Sequence, residues 1–162
     1  MNSLRLRKNK RQKRGKSMNI LFVCTGNTCR SPMTEGMLKA MAAEAHKDVV
    51  TLSAGLFTAP GGRVSPQAIE AVKDVADISA HQSRALNKSL MEAADLIIGL
   101  ATDHKKVLLR QFPEMSDKIM TLGEWAGTNE DVADPFGGTQ EEYDACAAQI
   151  KDLLAKGLAK LD

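Results

Sequence analysis

Cysteine, aromatic side chains and long apolar runs are all scarce in this chain of 162 residues. Three cysteines, Cys24, Cys29 and Cys146, cannot all pair, which excludes a disulfide-stapled mini-protein and points to thiol chemistry. Aromatics are 4% of the residues, so a core has to be aliphatic, and 43% apolar content over this length suffices for one domain. No apolar run approaches the roughly 20 residues that cross a bilayer. The stretch 20–23 is too short for a signal-peptide core. A cytoplasmic protein without membrane contact is expected.

Acidic residues are missing from one end. Arg5, Arg7, Lys8, Lys10, Arg11, Lys13, Arg14 and Lys16 give residues 1–17 eight basic groups and no acid, which leaves 14 basic against 20 acidic residues beyond them. With little apolar content besides Leu4 and Leu6, this segment cannot repay its ordering entropy. Residues 1–17 are expected to be a disordered basic tail and 18–162 the folded domain. Lys and Arg neutralise phosphates, so nucleic acid is expected as a partner only through the tail. The tail is otherwise a solvated extension or upstream sequence, since a strand-like segment follows Met18 at once.

What the chain does have is alternation. Apolar strands are expected at 20–23, 49–52, 95–100 and 119–122. Between them lie helical patterns: one after Ser31-Pro32 carrying Met33, Met37, Leu38 and Met41, one opened by Ser65-Pro66 and running to Val75, and short ones at 89–93 and 105–111. A last helix over 139–161 starts with the capping pattern Thr139-Gln140-Glu141-Glu142 and places Tyr143, Ala147, Ile150, Leu154 and Leu158 on one face. Parallel strands need crossover helices, so the fold class is α/β: a three-layer α/β/α sandwich with a four-stranded parallel sheet. Ligands of such sheets sit at the carboxyl ends of the strands, which directs attention to residues 24–31.

That segment reads Cys24-Thr25-Gly26-Asn27-Thr28-Cys29-Arg30-Ser31-Pro32. A Cys-x5-Arg spacing arises by chance about 0.15 times in such a chain, so its placement carries the weight. A cysteine ends a strand, small loop-forming residues follow, and an arginine opens a helix whose free N–H groups favour an anion. Cys24 in such surroundings is expected as a thiolate nucleophile, its pKa drawn down from about 8.5 toward 3.5–7.5. Arg30 offers a planar fork to two phosphoryl oxygens, and Ser31 can donate to the sulfur. Gly26 and Asn27 tolerate left-handed backbone angles, and Thr25, Thr28 and Cys29 complete a phosphate-binding loop.

These residues, with Ser53-Ala54-Gly55 and Asp134-Pro135-Phe136-Gly137-Gly138 in the same order, resemble the low-molecular-weight protein tyrosine phosphatase family over residues 18–160. The resemblance implies nucleophile Cys24, phosphate-binding Arg30 and general acid Asp134. It also implies a supporting hydrogen-bond network of Asn27, Ser31, Ser53 and His81. Independently, a thiolate attack needs a proton donor for the leaving group and then a base for water, and one loop carboxylic acid can serve both steps.

Thr28 separates two substrates. Tyrosine-directed members commonly carry an aliphatic residue there, whereas Thr28 and Phe136-Gly-Gly look like the bacterial protein arginine phosphatase branch. A phosphoarginine brings guanidinium N–H groups to the loop, and an unpaired one costs about 1–3 kcal/mol, so a hydroxyl in the wall helps. A tyrosine needs flat apolar walls, for which Phe136 and Trp125 are the candidates near the acid loop. The expected function is removal of phosphate from phosphoarginine in proteins through a phospho-cysteine intermediate, with phosphotyrosine as the alternative. Arsenate reduction would need relay cysteines, yet the third strand has none and Cys146 reads as packed. A non-catalytic oxyanion-binding module would not need Cys24, Arg30 and Asp134 together. Cys29, five residues from the nucleophile, invites a protective disulfide with Cys24. No cofactor is implied and no metal site is expected, since His46, His81 and His104 show no ligand spacing. Lys105, Lys106 and Arg110 read as a solvated helix face.

Overall fold

Strands form where β-branched and aliphatic residues run together, and in this computed structural model, described over residues 17–161, four of them line up in parallel. The basic tail of residues 1–16 and Asp162 lie outside the described residues. The elements in chain order are β1 (Met18–Cys24), α1 (Arg30–Glu44), β2 (Val49–Gly55), α2 (Pro66–Val72), α3 (Lys88–Ala93) and β3 (Leu96–Gly99). Then come α4 (Thr102–Gln111), a 3-10 turn (Pro113–Lys118), β4 (Ile119–Thr121), α5 (Leu122–Ala126) and α6 (Gln140–Leu158). The sheet order β2-β1-β3-β4 makes β1 the strand from which the chain first winds one way and then the other. Loops at its carboxyl end therefore diverge, which is where ligands of such sheets bind.

The sheet is covered on both faces, as period-2 alternation requires. Ile20, Phe22, Leu96 and Ile98 point to one face and pack with Met33, Met37 and Leu38 of α1 and Ile150, Leu153 and Leu154 of α6. Leu21, Val23, Ile97 and Ile119 point to the other, against Met91 of α3 and Leu108 of α4. Each fully buried aliphatic side chain contributes about 1.5–3 kcal/mol, so the aliphatic core replaces what aromatics supply elsewhere.

Several expected boundaries shift. β2 runs past the expected end at 52 through Ser53-Ala54-Gly55, because its backbone continues the ladder to β1, with Cys24 opposite Gly55. The helix after Ser65 stops at Val72, three residues before Val75. Neither α5 nor the 3-10 turn was expected; α5 is only five residues long and is held by a reciprocal cap between Thr121 and Glu124. α6 carries the expected cap on Thr139. Among the described residues, no helix is long and apolar enough to cross a membrane.

Candidate active site

The loop between β1 and α1 owes its shape to its carbonyls. Those of Cys24, Thr25 and Thr28 accept the backbone N–H groups of Leu56 (2.9 Å), Phe57 (3.0 Å) and Ser65 (3.0 Å), and that of Asn27 lies 3.3 Å from His81 Nε2. In a trans peptide the following N–H points the opposite way. The amides of Thr25, Gly26, Thr28 and Cys29 are thus turned away from these partners. Asn27 takes a left-handed φ of 56° to close the curve. Gly55 is needed beside it, since a Cβ there would lie 2.9 Å from the Thr25 carbonyl oxygen and 3.2 Å from Asn27 Cβ.

Hydrogen-bond direction then fixes the role of the sulfur. The Arg84 backbone N–H donates to Asn27 Oδ1 (2.9 Å), so the other amide atom is nitrogen. That Nδ2 donates to Ser31 Oγ (2.8 Å) and to Ser53 Oγ (2.9 Å). Ser53 donates its O–H to Glu35 Oε1 in a hydrogen bond (2.6 Å), and Ser31, which accepts from Asn27, has Cys24 Sγ (2.8 Å) as the partner for its own O–H. The network thus aims a hydroxyl at the sulfur. His81 donates through Nε2 to Asn27, and its Nδ1 lies 3.9 Å from Glu35; burial pushes its pKa down while Glu35 opposes the shift. Cys24, Asn27, Ser31, Ser53 and His81 are accordingly brought together. Glu35 was missed by sequence reasoning, although it stands four residues after Ser31 on the same helix face.

Arg30 is buried, with Nη1 donating to the Val132 carbonyl (2.8 Å) and Nη2 3.7 Å from Asp134 Oδ2. The bond to Val132 ties the phosphate loop to the stem of the acid loop, and the Val132 N–H in turn donates to Leu100 at the end of β3 (3.1 Å). Asp131 accepts from the Thr102 N–H and hydroxyl (3.0 Å each), anchoring the same stem on the start of α4. Beyond this stem Pro135 is buried, but Asp134 is 52% exposed, and its Oδ1 accepts the Phe136 N–H (3.1 Å). Phe136 is 75% exposed.

Trp125 is not a wall of this site. Its indole is buried against Gly157 of α6, where a Cβ would come within 2.2 Å of the ring, so the glycine is the slot that holds it. A second exposed phenyl is instead Phe57, whose N–H is pinned to the Thr25 carbonyl. Thr28 is half-buried, its methyl facing Gly62 and its hydroxyl facing Gly26 across the loop; a Cβ at either glycine would sit 3.7 Å from it. Cys29 is buried with Sγ 3.6 Å from Ser65 Oγ and 3.5 Å from Tyr143 Oη. All three cysteines are free, and burial pushes the thiol of Cys146 up to about 12, which keeps it protonated beneath the Ala133 carbonyl. Lys106 and Arg110 are exposed as expected, whereas Lys105 pairs with Glu124 (2.8 Å). His104, which showed no ligand spacing in the sequence, lies at the loop, 3.3 Å from Arg30 Nη2. Among the described residues no cluster of metal ligands occurs.

A free cysteine sulfur, a tightly curled loop, a helix N-terminus and a buried guanidinium together suit a tetrahedral oxyanion. Comparison with known proteins agrees. A family profile described as low molecular weight phosphotyrosine protein phosphatase matches residues 19–162. A protein-arginine-phosphatase of Bacillus subtilis is 42% identical over 144 residues, covering 88% of this chain and 95% of the relative. The crystal structure of a YwlE mutant from Bacillus subtilis superimposes with a TM-score of 0.85 at 40% identity, over 90% of this chain and 99% of that one. A low molecular weight protein tyrosine phosphatase from T. tengcongensis gives a TM-score of 0.86 at 42% identity, over 90% and 100% of the two chains.

Proposed function

The chain belongs to the low molecular weight phosphotyrosine protein phosphatase family, and from that premise we propose that it hydrolyses phosphoarginine in proteins, with Cys24 as nucleophile, Arg30 as phosphate ligand and Asp134 as general acid and base. The Cys24 thiolate attacks phosphorus as the P–N bond breaks, and Asp134 gives its proton to the departing guanidino nitrogen. Water then attacks the phospho-cysteine, Asp134 takes a proton from it, the S–P bond breaks, and phosphate leaves with the thiolate restored. Arg30 and the loop amides hold the equatorial oxygens throughout. Asn27, Ser31, Ser53, His81 and Glu35 keep the loop curled and the Ser31 proton aimed at the sulfur.

The observation that carries arginine over tyrosine is Thr28, half-buried with its hydroxyl turned across the loop. A guanidinium brings N–H donors there that a hydroxyl can accept and an aliphatic side chain cannot. The relationship to the Bacillus subtilis protein-arginine-phosphatase supports the same reading. Phosphotyrosine is the second reading, favoured by the exposed rings of Phe57 and Phe136, which offer apolar faces. The test is kcat/KM on matched phosphoarginine and phosphotyrosine peptides, with Thr28→Ile beside the wild type. We expect the wild type to prefer phosphoarginine and Thr28→Ile to lower that preference about tenfold, the equivalent of ~1.4 kcal/mol. A wild type that prefers phosphotyrosine, or a preference unmoved by the substitution, overturns the assignment. Asp134, Arg30 and the loop are shared by both substrates, so neither outcome touches the phosphatase chemistry.

A further inference from the structure

The strand order brings a second loop, the one after β3, against the phosphate loop, and from it comes a histidine that the chemistry above leaves idle. His104 is the third residue of α4 and is 4% exposed. Its Nδ1 lies 3.1 Å from the Ala101 backbone N–H, one of the unpaired donors at the start of the helix. A backbone N–H can only donate, so Nδ1 holds no proton. Burial first, and then the charge of Arg30, push the imidazole down to about 4, against the opposing pull of Asp103, Asp134 and Asp131. The ring is neutral near pH 7 and its single proton sits on Nε2.

That nitrogen meets two groups: Thr25 Oγ1 at 3.2 Å and Arg30 Nη2 at 3.3 Å. A guanidinium has donors and no acceptor, so the proton on Nε2 goes to the Thr25 hydroxyl. Arg30 is thus held on one side by the Val132 carbonyl and touches on the other a ring with no lone pair to give it. A carboxylate in this place would take up both the hydrogen bonds and the charge of the guanidinium. The neutral ring limits by contact where Nη2 can move and accepts none of its hydrogens, which face the Asp134 carboxylate at 3.7 Å and the place of an incoming oxyanion. Room has been made for it: a Cβ on Gly99, at the end of β3, would lie 2.9 Å from His104 Cβ and 3.1 Å from the Lys105 nitrogen.

We propose that His104 is a positioning residue of the phosphate site, a neutral imidazole that holds the Thr25 hydroxyl and backs the Arg30 guanidinium without consuming its donors. The proposal rests on the phosphatase reading above but not on which phosphorylated side chain is the substrate.

Two substitutions separate this role from simple capping. In His104→Asn the shorter amide reaches the Ala101 N–H but not Thr25 or Arg30; in His104→Gln the longer one reaches Thr25 and gives up the cap. The Asn variant is expected to melt close to the wild type. Its KM and the competitive inhibition constant of inorganic phosphate should each rise about tenfold, with kcat changed less. The Gln variant is expected to melt lower yet recover most of the phosphate affinity. The rise should be equal on phosphoarginine and phosphotyrosine peptides, because the contact serves the phosphate. A wild type that prefers phosphotyrosine while the Asn variant still loses phosphate sinks the arginine reading and leaves this one standing. Wild-type phosphate inhibition in the Asn variant, or equal losses in Asn and Gln, overturns the proposal whatever the preference. Should either variant fail to fold, Thr25→Val cuts the same contact from the other side, and an unchanged phosphate inhibition constant there overturns it as well.

Discussion

The two loops that meet at Arg30 are built on opposite plans. The phosphate loop is buried at Asn27, Cys29, Arg30 and Ser31, with every amide oxygen and hydroxyl of its support committed to a partner. The acid loop is anchored at its stem, through Asp131 and Val132, and turns Asp134 and Phe136 toward solvent on either side of a buried Pro135. The contrast follows from what each has to do. Charge stabilisation gains from donors fixed in a low-dielectric setting before the substrate arrives. A residue that must exchange a proton with leaving group and water in turn gains from access. If this division holds, damage to the buried loop should abolish or cripple turnover on every substrate, and damage to the open one should depend on the leaving group.

The largest effect is expected at the sulfur. Cys24→Ser should lower kcat by at least about 10⁴-fold, on phosphoarginine, phosphotyrosine and aryl phosphates alike, while leaving the melting temperature near that of the wild type. Substantial turnover by this variant in a steady-state assay would remove the nucleophile from the buried loop and end the comparison.

Next is the acid loop. Asp134→Asn keeps the shape and the acceptor for the Phe136 N–H but cannot donate or accept the proton. A fall in kcat of about 10²–10⁴ is expected, largest on esters with poor leaving groups and smallest on nitrophenyl phosphate, whose leaving group needs little protonation. A loss that is the same on all leaving groups would show that Asp134 works through Arg30, 3.7 Å away, rather than by proton transfer.

Smaller still is the effect of the support. Asn27→Ala removes both donors that orient Ser31 and Ser53 and places a Cβ residue without local hydrogen bonds at φ 56°. The cost to stability is expected at about 1–3 kcal/mol by urea unfolding, with a concurrent fall in kcat/KM. A variant that is less stable yet fully active would mean that the network holds the fold but not the sulfur.

How far all this was legible in the sequence follows the same division. The buried loop announced itself because its residues are contiguous: Cys24 to Pro32 can be read as strand end, tight loop and helix start, and Gly and Asn sit where the curve needs them. The strands and their order of alternation were equally plain, since period and composition are local properties. What could not be read were contacts made by folding. Glu35 joins the network through Ser53, 18 residues on. His104 reaches Arg30 across 74 residues, and nothing local distinguishes it from a helix-capping or surface histidine. The sequence offers Trp125 as a candidate site wall because nothing in it signals α5; once that short helix forms, the ring packs on Gly157. Two features were present as signals and went unused. The spacing from Ser31 to Glu35 is one helical turn, and the topology of an open parallel sheet points to the loop after β3 as well as the loop after β1.

The mildest effect concerns which plan His104 belongs to. In the folded protein its pKa is pushed down to about 4 by burial and Arg30, while in the unfolded chain it returns to about 6.5. Between these values the unfolded state binds a proton that the folded state refuses, so stability falls as pH drops from about 6.5 toward 4 and this contribution is complete below that. Burial alone would raise the Glu124 carboxyl, but Lys105 and Thr121 bring it below its ordinary value. His81, also shifted down by burial, supplies part of the slope over the same range. Urea midpoints measured at pH 7, 5.5 and 4.5 should decline for the wild type and decline less steeply for His104→Asn. Equal slopes would place the ring in contact with solvent, on the side of the open loop, and the boundary between the two plans would then run through Arg30 rather than outside it.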